Sequence, residues 1–226
     1  MAITLSQQAV VTSSGAAVDV PFASANAGGG LLTLAVRSPS TIAALTGVQD
    51  SAGNTWALAV QSIRNNGPQS QLWYAPNAAG STNTVVAFTA VPTGVLQFNA
   101  HEWAGCSTSA PLLSVSAGTS TSASTHTPGS VQTDVSSAVF LVGYAFASGF
   151  DIPTDPTGYT ALNASLTNFQ AYYKAMSSTS TENPEAVSSG SENGACFLAA
   201  FSGADAGQPP TGGSRRRRGM SMLGVS

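Results

Sequence analysis

Apolar side chains recur at alternate positions over much of this chain. Trp56, Leu58 and Val60 fall on one side of an extended segment, Thr84, Val86 and Phe88 on one side of another, and Leu96 and Phe98 on one side of a third. A period of two is the signature of a β-strand with one face toward a core. Between these segments lie clusters of turn-forming residues: Asp50–Asn54, Asn65–Gly67, Pro76–Gly80 and Pro92–Gly94. Their spacing of roughly eight to twelve residues is that of sandwiches and barrels. Ala138–Val142 is apolar on both sides, which predicts a central strand covered on both faces. No segment carries a sustained helical period. The pattern predicts an all-β fold, an antiparallel β-sandwich of jelly-roll-like form.

Further strands are predicted at Ile3–Val11, Ala17–Phe22, Leu31–Val36, Gln71–Tyr74, Tyr159–Leu162, Phe169–Met176 and Ala195–Phe201. No clean internal repeat is visible in the residues. Three parts follow from the composition shifts: a single β-sandwich domain over 1–203, a Gly/Pro linker over 204–214, and a basic-apolar extended C-terminal tail over 215–226.

The chain has 226 residues, 42% of them hydrophobic and only 8% charged. The ordinary charged share is about a quarter, so Ser, Thr, Asn, Gln and Gly must carry the outward faces. Up to Ser214 there are three basic residues, Arg37, Arg64 and Lys174, against ten acids, an excess of seven negative charges. Arg215, Arg216, Arg217 and Arg218 bring the formal total to −3. An acidic body argues against nucleic-acid binding outside the four arginines, because phosphate neutralisation requires clustered cations. The N-terminal residues lack the basic and apolar regions of a secretory signal, and no apolar run has the length of a membrane span. The expectation is a protein released by lysis, with no membrane partner.

Candidate chemistry is sparse. His101 and Glu102 adjoin, but neighbouring strand residues point to opposite faces. Glu102 shares its side with Leu96, Phe98 and Ala100, which predicts an inward carboxylate paired with Lys174 or Arg37. His101 and His126 lack the companion spacing of a zinc site. Asp50, Ser51 and Asn54, and separately Asp151 and Asp155, match turns better than calcium loops. Gly28–Gly30 lacks the residues of a phosphate loop, and Asn163 opens a chance glycosylation triplet. Cys106 and Cys196 read as inert unlinked thiols, with a disulfide as the alternative. No catalytic residue, cofactor or metal is expected. Among the aromatics, Trp73 and Trp103, with Tyr74, Tyr172 or Tyr173, are candidates for stacking a glycan, weighed against filling the core.

The order of motifs Asp50-Ser-Ala-Gly-Asn-Thr-Trp56, Ser70-Gln-Leu-Trp-Tyr-Ala75, Asn83-Thr-Val-Val86, Glu102-Trp-Ala-Gly105, Gly158-Tyr-Thr160 and Ala171-Tyr-Tyr-Lys174 resembles the β-sandwich modules of tailed-bacteriophage structural proteins and bacterial surface proteins. The resemblance covers about Leu31 to Phe201, and Cys106 stands where it would place an aliphatic residue. It brings no catalytic residues. It implies a non-enzymatic virion protein, a head decoration or tail-associated component docked on other virion proteins or on copies of itself. A carbohydrate-binding adhesion module for host glycans is the alternative. The tail is outside the resemblance. Its arginines with Met220, Met222 and Leu223 form a candidate docking segment for a protein partner or, through Arg215–Arg218 alone, for nucleic acid.

Overall fold

A computed structural model describes residues 1–39, 45–89, 95–147, 154–162, 166 and 168–204. The fold is all-β and antiparallel, as the periodicity predicts. The first half holds eight strands: β1 (Thr4–Ser13), β2 (Ala17–Pro21), β3 (Gly30–Ser38), β4 (Leu45–Asp50), β5 (Ala57–Ile63), β6 (Gln69–Ala78), β7 (Thr84–Thr89) and β8 (Leu96–Ala104). First pairs with last and so on inward: β1 with β8, β2 with β7, β3 with β6. This is a long hairpin rolled into two sheets, the jelly-roll topology. The sheets run β1-β8-β3-β6-β5 and β2-β7-β4. In a regular roll β5 would extend the second sheet beside β4; here it pairs with β6 instead.

The second half repeats the scheme. Its strands are β9 (Leu112–His126), β10 (Val131–Thr133), β11 (Ala138–Phe146), β12 (Thr160–Ala161), β13 (Phe169–Met176), β14 (Ser180–Glu182) and β15 (Ala186–Ser202). β9 pairs with β15, β10 with β14 and β11 with β13, and the larger sheet runs β12-β13-β11-β15-β9. With β12 standing for β5, the order is that of the first half. Residues align as well: Leu34 lies between Trp73 and Ala100, Val142 between Tyr172 and Leu198. Gly53 and Gly158, each near a turn, take φ of 74° and 78°, a conformation that favours glycine. Among the described residues the two halves are thus jelly rolls that share one pairing order, a repeat not visible in the residues themselves. Sequence hides the repeat because a strand face asks only for apolar character, and side chains drift freely within it.

The two large sheets pack against each other, and each small sheet covers an outer face, giving four layers and three cores. Between the large sheets lie Leu31, Leu72 and Trp103 against Leu141, Phe169, Phe197 and Phe201. Leu32, Leu34 and Phe98 meet Val20, Val48 and Val85 under the first small sheet. Phe140, Tyr144 and Tyr172 meet Val131 beside the second. Every residue of β3 and β11 is buried, because each strand is covered on both faces. The double cover predicted for 138–142 is thus borne out, and β3 shares it.

Two alternations resolve differently from the sequence pattern. A bulge between Leu58 and Val60 breaks the period in β5, leaving Leu58 42% exposed while Val60 is buried. On β7 it is Val85 and Ala87 that enter the core, so the Thr84–Val86–Phe88 face is the outer one. Among the described residues no helix is long and apolar enough to cross a membrane.

Candidate functional site

A cleft of about 620 Å³ opens on the outer face of the second jelly roll. One wall is the turn from Thr154 to Thr157, closed by the Tyr159 N–H donating to the Pro156 carbonyl at 2.9 Å. The other is the extended segment Glu182–Val187, whose alternation turns Glu182 and Pro184 inward and Asn183, Glu185 and Val187 outward. The Tyr144 hydroxyl pins this wall by donating to the Pro184 carbonyl at 2.9 Å.

The floor is a closed network around Glu182. Lys174 Nζ donates to both carboxylate oxygens at 2.9 and 3.0 Å, Ser180 Oγ to one at 2.6 Å, and the Tyr159 hydroxyl to the other at 3.4 Å. Burial, and then the Glu182 charge, hold the Tyr159 phenol far above its ordinary pKa, so it remains a neutral donor. Lys174 also lies 5.7 Å from the Tyr159 ring centroid. Its cation is committed, and the walls add the exposed carboxylates of Asp155 and Glu185 with no cation of their own. Such a recess favours cationic or hydroxyl-bearing groups and repels anions.

The first jelly roll shows what the second lacks. Register places Trp56 in the position of Tyr159. Asp50 accepts from the Asn54 N–H and Nδ2 (2.9 and 2.8 Å), Trp56 Nε1 (2.9 Å) and Asn83 Nδ2 (3.2 Å). Burial alone would raise its pKa, but these donors outweigh burial and hold it below the usual value. Asp50, Ser51 and Asn54 are thus a turn, as expected, whereas Asp155 makes no such bonds among the described residues and lines the cleft.

The sequence-predicted residues fall in different places. Glu102 is buried and inward, as expected, but its partners differ: Oε1 accepts from the Ala27 N–H and Oε2 from Gln7 Nε2, both at 2.6 Å. Lys174 belongs to Glu182. Arg37 lies on the opposite face of its sheet and donates to the carbonyls of Phe146 (2.9 Å), Val95 (3.0 Å) and Ala147 (3.4 Å). Neither supplies the expected ion pair.

Trp103 is fully buried, with its indole N–H donating to Thr33 Oγ1 at 3.0 Å, and cannot stack a glycan. That corrects its candidacy: the residue faces the seam between the large sheets, where its area is most useful to folding. Trp73 is half-buried against the first roll's outer core, and Tyr172 and Tyr173 pack in cores. Cys106 and Cys196 are buried free thiols, and burial pushes both up to about 12. Asp151, Asn163 and the docking candidates Arg215, Arg216, Arg217, Arg218, Met220, Met222 and Leu223 lie outside the described residues.

One constellation has no signature in the sequence. His126 Nδ1 meets Ser120 Oγ at 2.6 Å and Nε2 meets Ser188 Oγ at 3.0 Å. Ser188 Oγ donates its proton to the Gly190 carbonyl at 2.6 Å, so it accepts from His126 Nε2–H, and Ser120 donates to Nδ1. In this arrangement the imidazole gives a hydrogen bond to Ser188 rather than drawing its proton. It ties β9 to β15 where their register slips. Among the described residues no three of His, Cys, Asp and Glu gather as metal ligands. Comparison with family models, with curated proteins and with solved structures finds no match for the chain.

Proposed function

We propose that the chain is a non-enzymatic structural protein of a bacteriophage virion, docked on other virion proteins or copies of itself. The observation that carries this reading is the use to which polar side chains are put. Glu102, Glu182, Arg37 and His126 are each engaged in hydrogen bonds that close contacts between strands or sheets, and Glu182, on the cleft floor, is held by Lys174, Ser180 and Tyr159. The architecture is a stack of four sheets, and jelly rolls serve widely as capsid and lectin scaffolds. Imaging purified particles with the labelled protein tests it: signal at a fixed head or tail position supports the reading, and particles without signal overturn it. A chain ending at Gly207 that folds but fails to join the particle supports docking through Arg215–Leu223; equal incorporation removes the tail from that role.

The carbohydrate-binding reading retains one supporting observation, the cleft with its Asp155, Asn183 and Glu185 acceptors. Glycan-array binding lost on Asp155→Asn and unchanged on Trp73→Ala favours it, and places the site away from the tryptophans.

A further inference from the structure

We infer that the cleft between 154–157 and 182–187 is the receptor for this chain's own Arg215–Arg218 segment, which folds back onto the second jelly roll. Three observations meet here. The cleft has room for extended side chains, about 620 Å³, and its walls carry Asp155 and Glu185 without a free cation. Val187, 45% exposed, provides an apolar surface on the cleft wall against which an arginine stem can lie. The body's excess of acids finds its counter-charge in the four consecutive arginines, whose planar forks bind carboxylates in pairs.

The chain's exit is also close. Ser202 pairs with Ala138, and Ala138 with Met176, two residues along β13 from Lys174 on the cleft floor. Two strand spacings and two residues amount to roughly 12 Å. The ten residues 205–214 reach up to about 35 Å when extended, so the arginines arrive without strain. A tether of that length gives the segment a millimolar-range effective concentration at its own cleft, which favours it over the cleft of another copy. In the first roll the Asp50 carboxylate is already bonded by Asn54, Trp56 and Asn83, so it is not open to the same guest.

The inference competes with tail docking in the virion reading for the same arginines, and it is tested separately because it holds or fails on the isolated chain. Trypsin cleavage after Arg215–Arg218 is followed in the full-length protein and in Asp155→Asn/Glu185→Gln, with cleavage at Arg64 and Lys174 as the control for folding. The expected result is slow tail cleavage in the parent, about ten-fold faster in the double variant, and equally fast in the parent at roughly 0.5 M salt. Equal rates in parent and variant at low salt overturn the proposal. So does protection that vanishes on about 100-fold dilution, which assigns the segment to a second copy, and so does a cleft that takes a neutral oligosaccharide while the arginines are cut freely.

Discussion

Trp103 packs edge-on against Tyr173 with ring centroids 5.2 Å apart, and the repeat maps this pair onto Phe201 and Tyr74, which lie 5.5 Å apart. Each pair takes one ring from each jelly roll. The contact is therefore reciprocal, as in an isologous dimer interface where residue i meets j and j meets i. A covalently joined pair of rolls has here the central contact of a two-fold dimer. Beside it the ends of β8 and β15 join, Ala204 N–H donating to the Gly105 carbonyl at 2.8 Å and Ser107 N–H to that of Ser202 at 2.9 Å.

Trp103→Ala should cost about 3–5 kcal/mol, the range for removing a large aromatic from a core, with the Thr33 hydroxyl losing its donor as well. Urea unfolding measures it. A cost under about 1 kcal/mol would show that the seam closes around the gap and that the ring pairs are not central to it.

Arg37→Met keeps much of the buried stem but removes the donors to Phe146, Val95 and Ala147. Unpaired buried carbonyls cost about 1–3 kcal/mol, so a loss of that order is expected. Because Arg37 and Phe146 belong to different rolls, the second roll should also gain hydrogen exchange at 146–147 before the rest of β11. Uniform exchange along β11 would refute the clamp.

His101 is fully buried, and burial lowers its pKa from 6.5 to about 3. The folded chain thus holds the neutral ring while the unfolded chain accepts a proton below about 6.5. The stability contributed by the neutral ring is complete above that pH and declines as pH falls toward 3, by up to about 1.4 kcal/mol per unit. His126 is shifted the same way by burial, opposed by Glu192, so a single-site comparison is needed. His101→Gln should flatten the slope of unfolding free energy between about pH 6 and 4.5. An unchanged slope would mean that His101 is not the group responsible.

Cys106 and Cys196 should resist a thiol reagent in the native protein at pH 8, since burial both covers them and pushes them up to about 12. After unfolding without reductant, two labels per chain are expected. No label would establish a disulfide.

The sequence by itself determined the strand character. Alternation, the turn clusters and the absence of a 3.6-residue period require extended antiparallel segments, and local sterics suffice to read them. It also determined that 138–142 is covered twice, since an all-apolar strand has no face for water. The inward carboxylate at Glu102 was legible for the same reason. Which side chains meet is settled by the packing of the sheets. Partners for Glu102, Lys174 and Arg37 depend on register and on which sheet covers which face, and those follow from contacts distant in sequence. The repeat is likewise tertiary, because it is conserved in pairing order and not in residue identity. Trp103 and Trp73 are both tryptophans on strands, yet one fills the seam and the other lies half-covered at an outer face, because sheets of five and three strands overlap unevenly. The cleft has that origin too: Asn54, Trp56 and Asn83 answer the Asp50 carboxylate, whereas the Asp155 carboxylate lines an open recess.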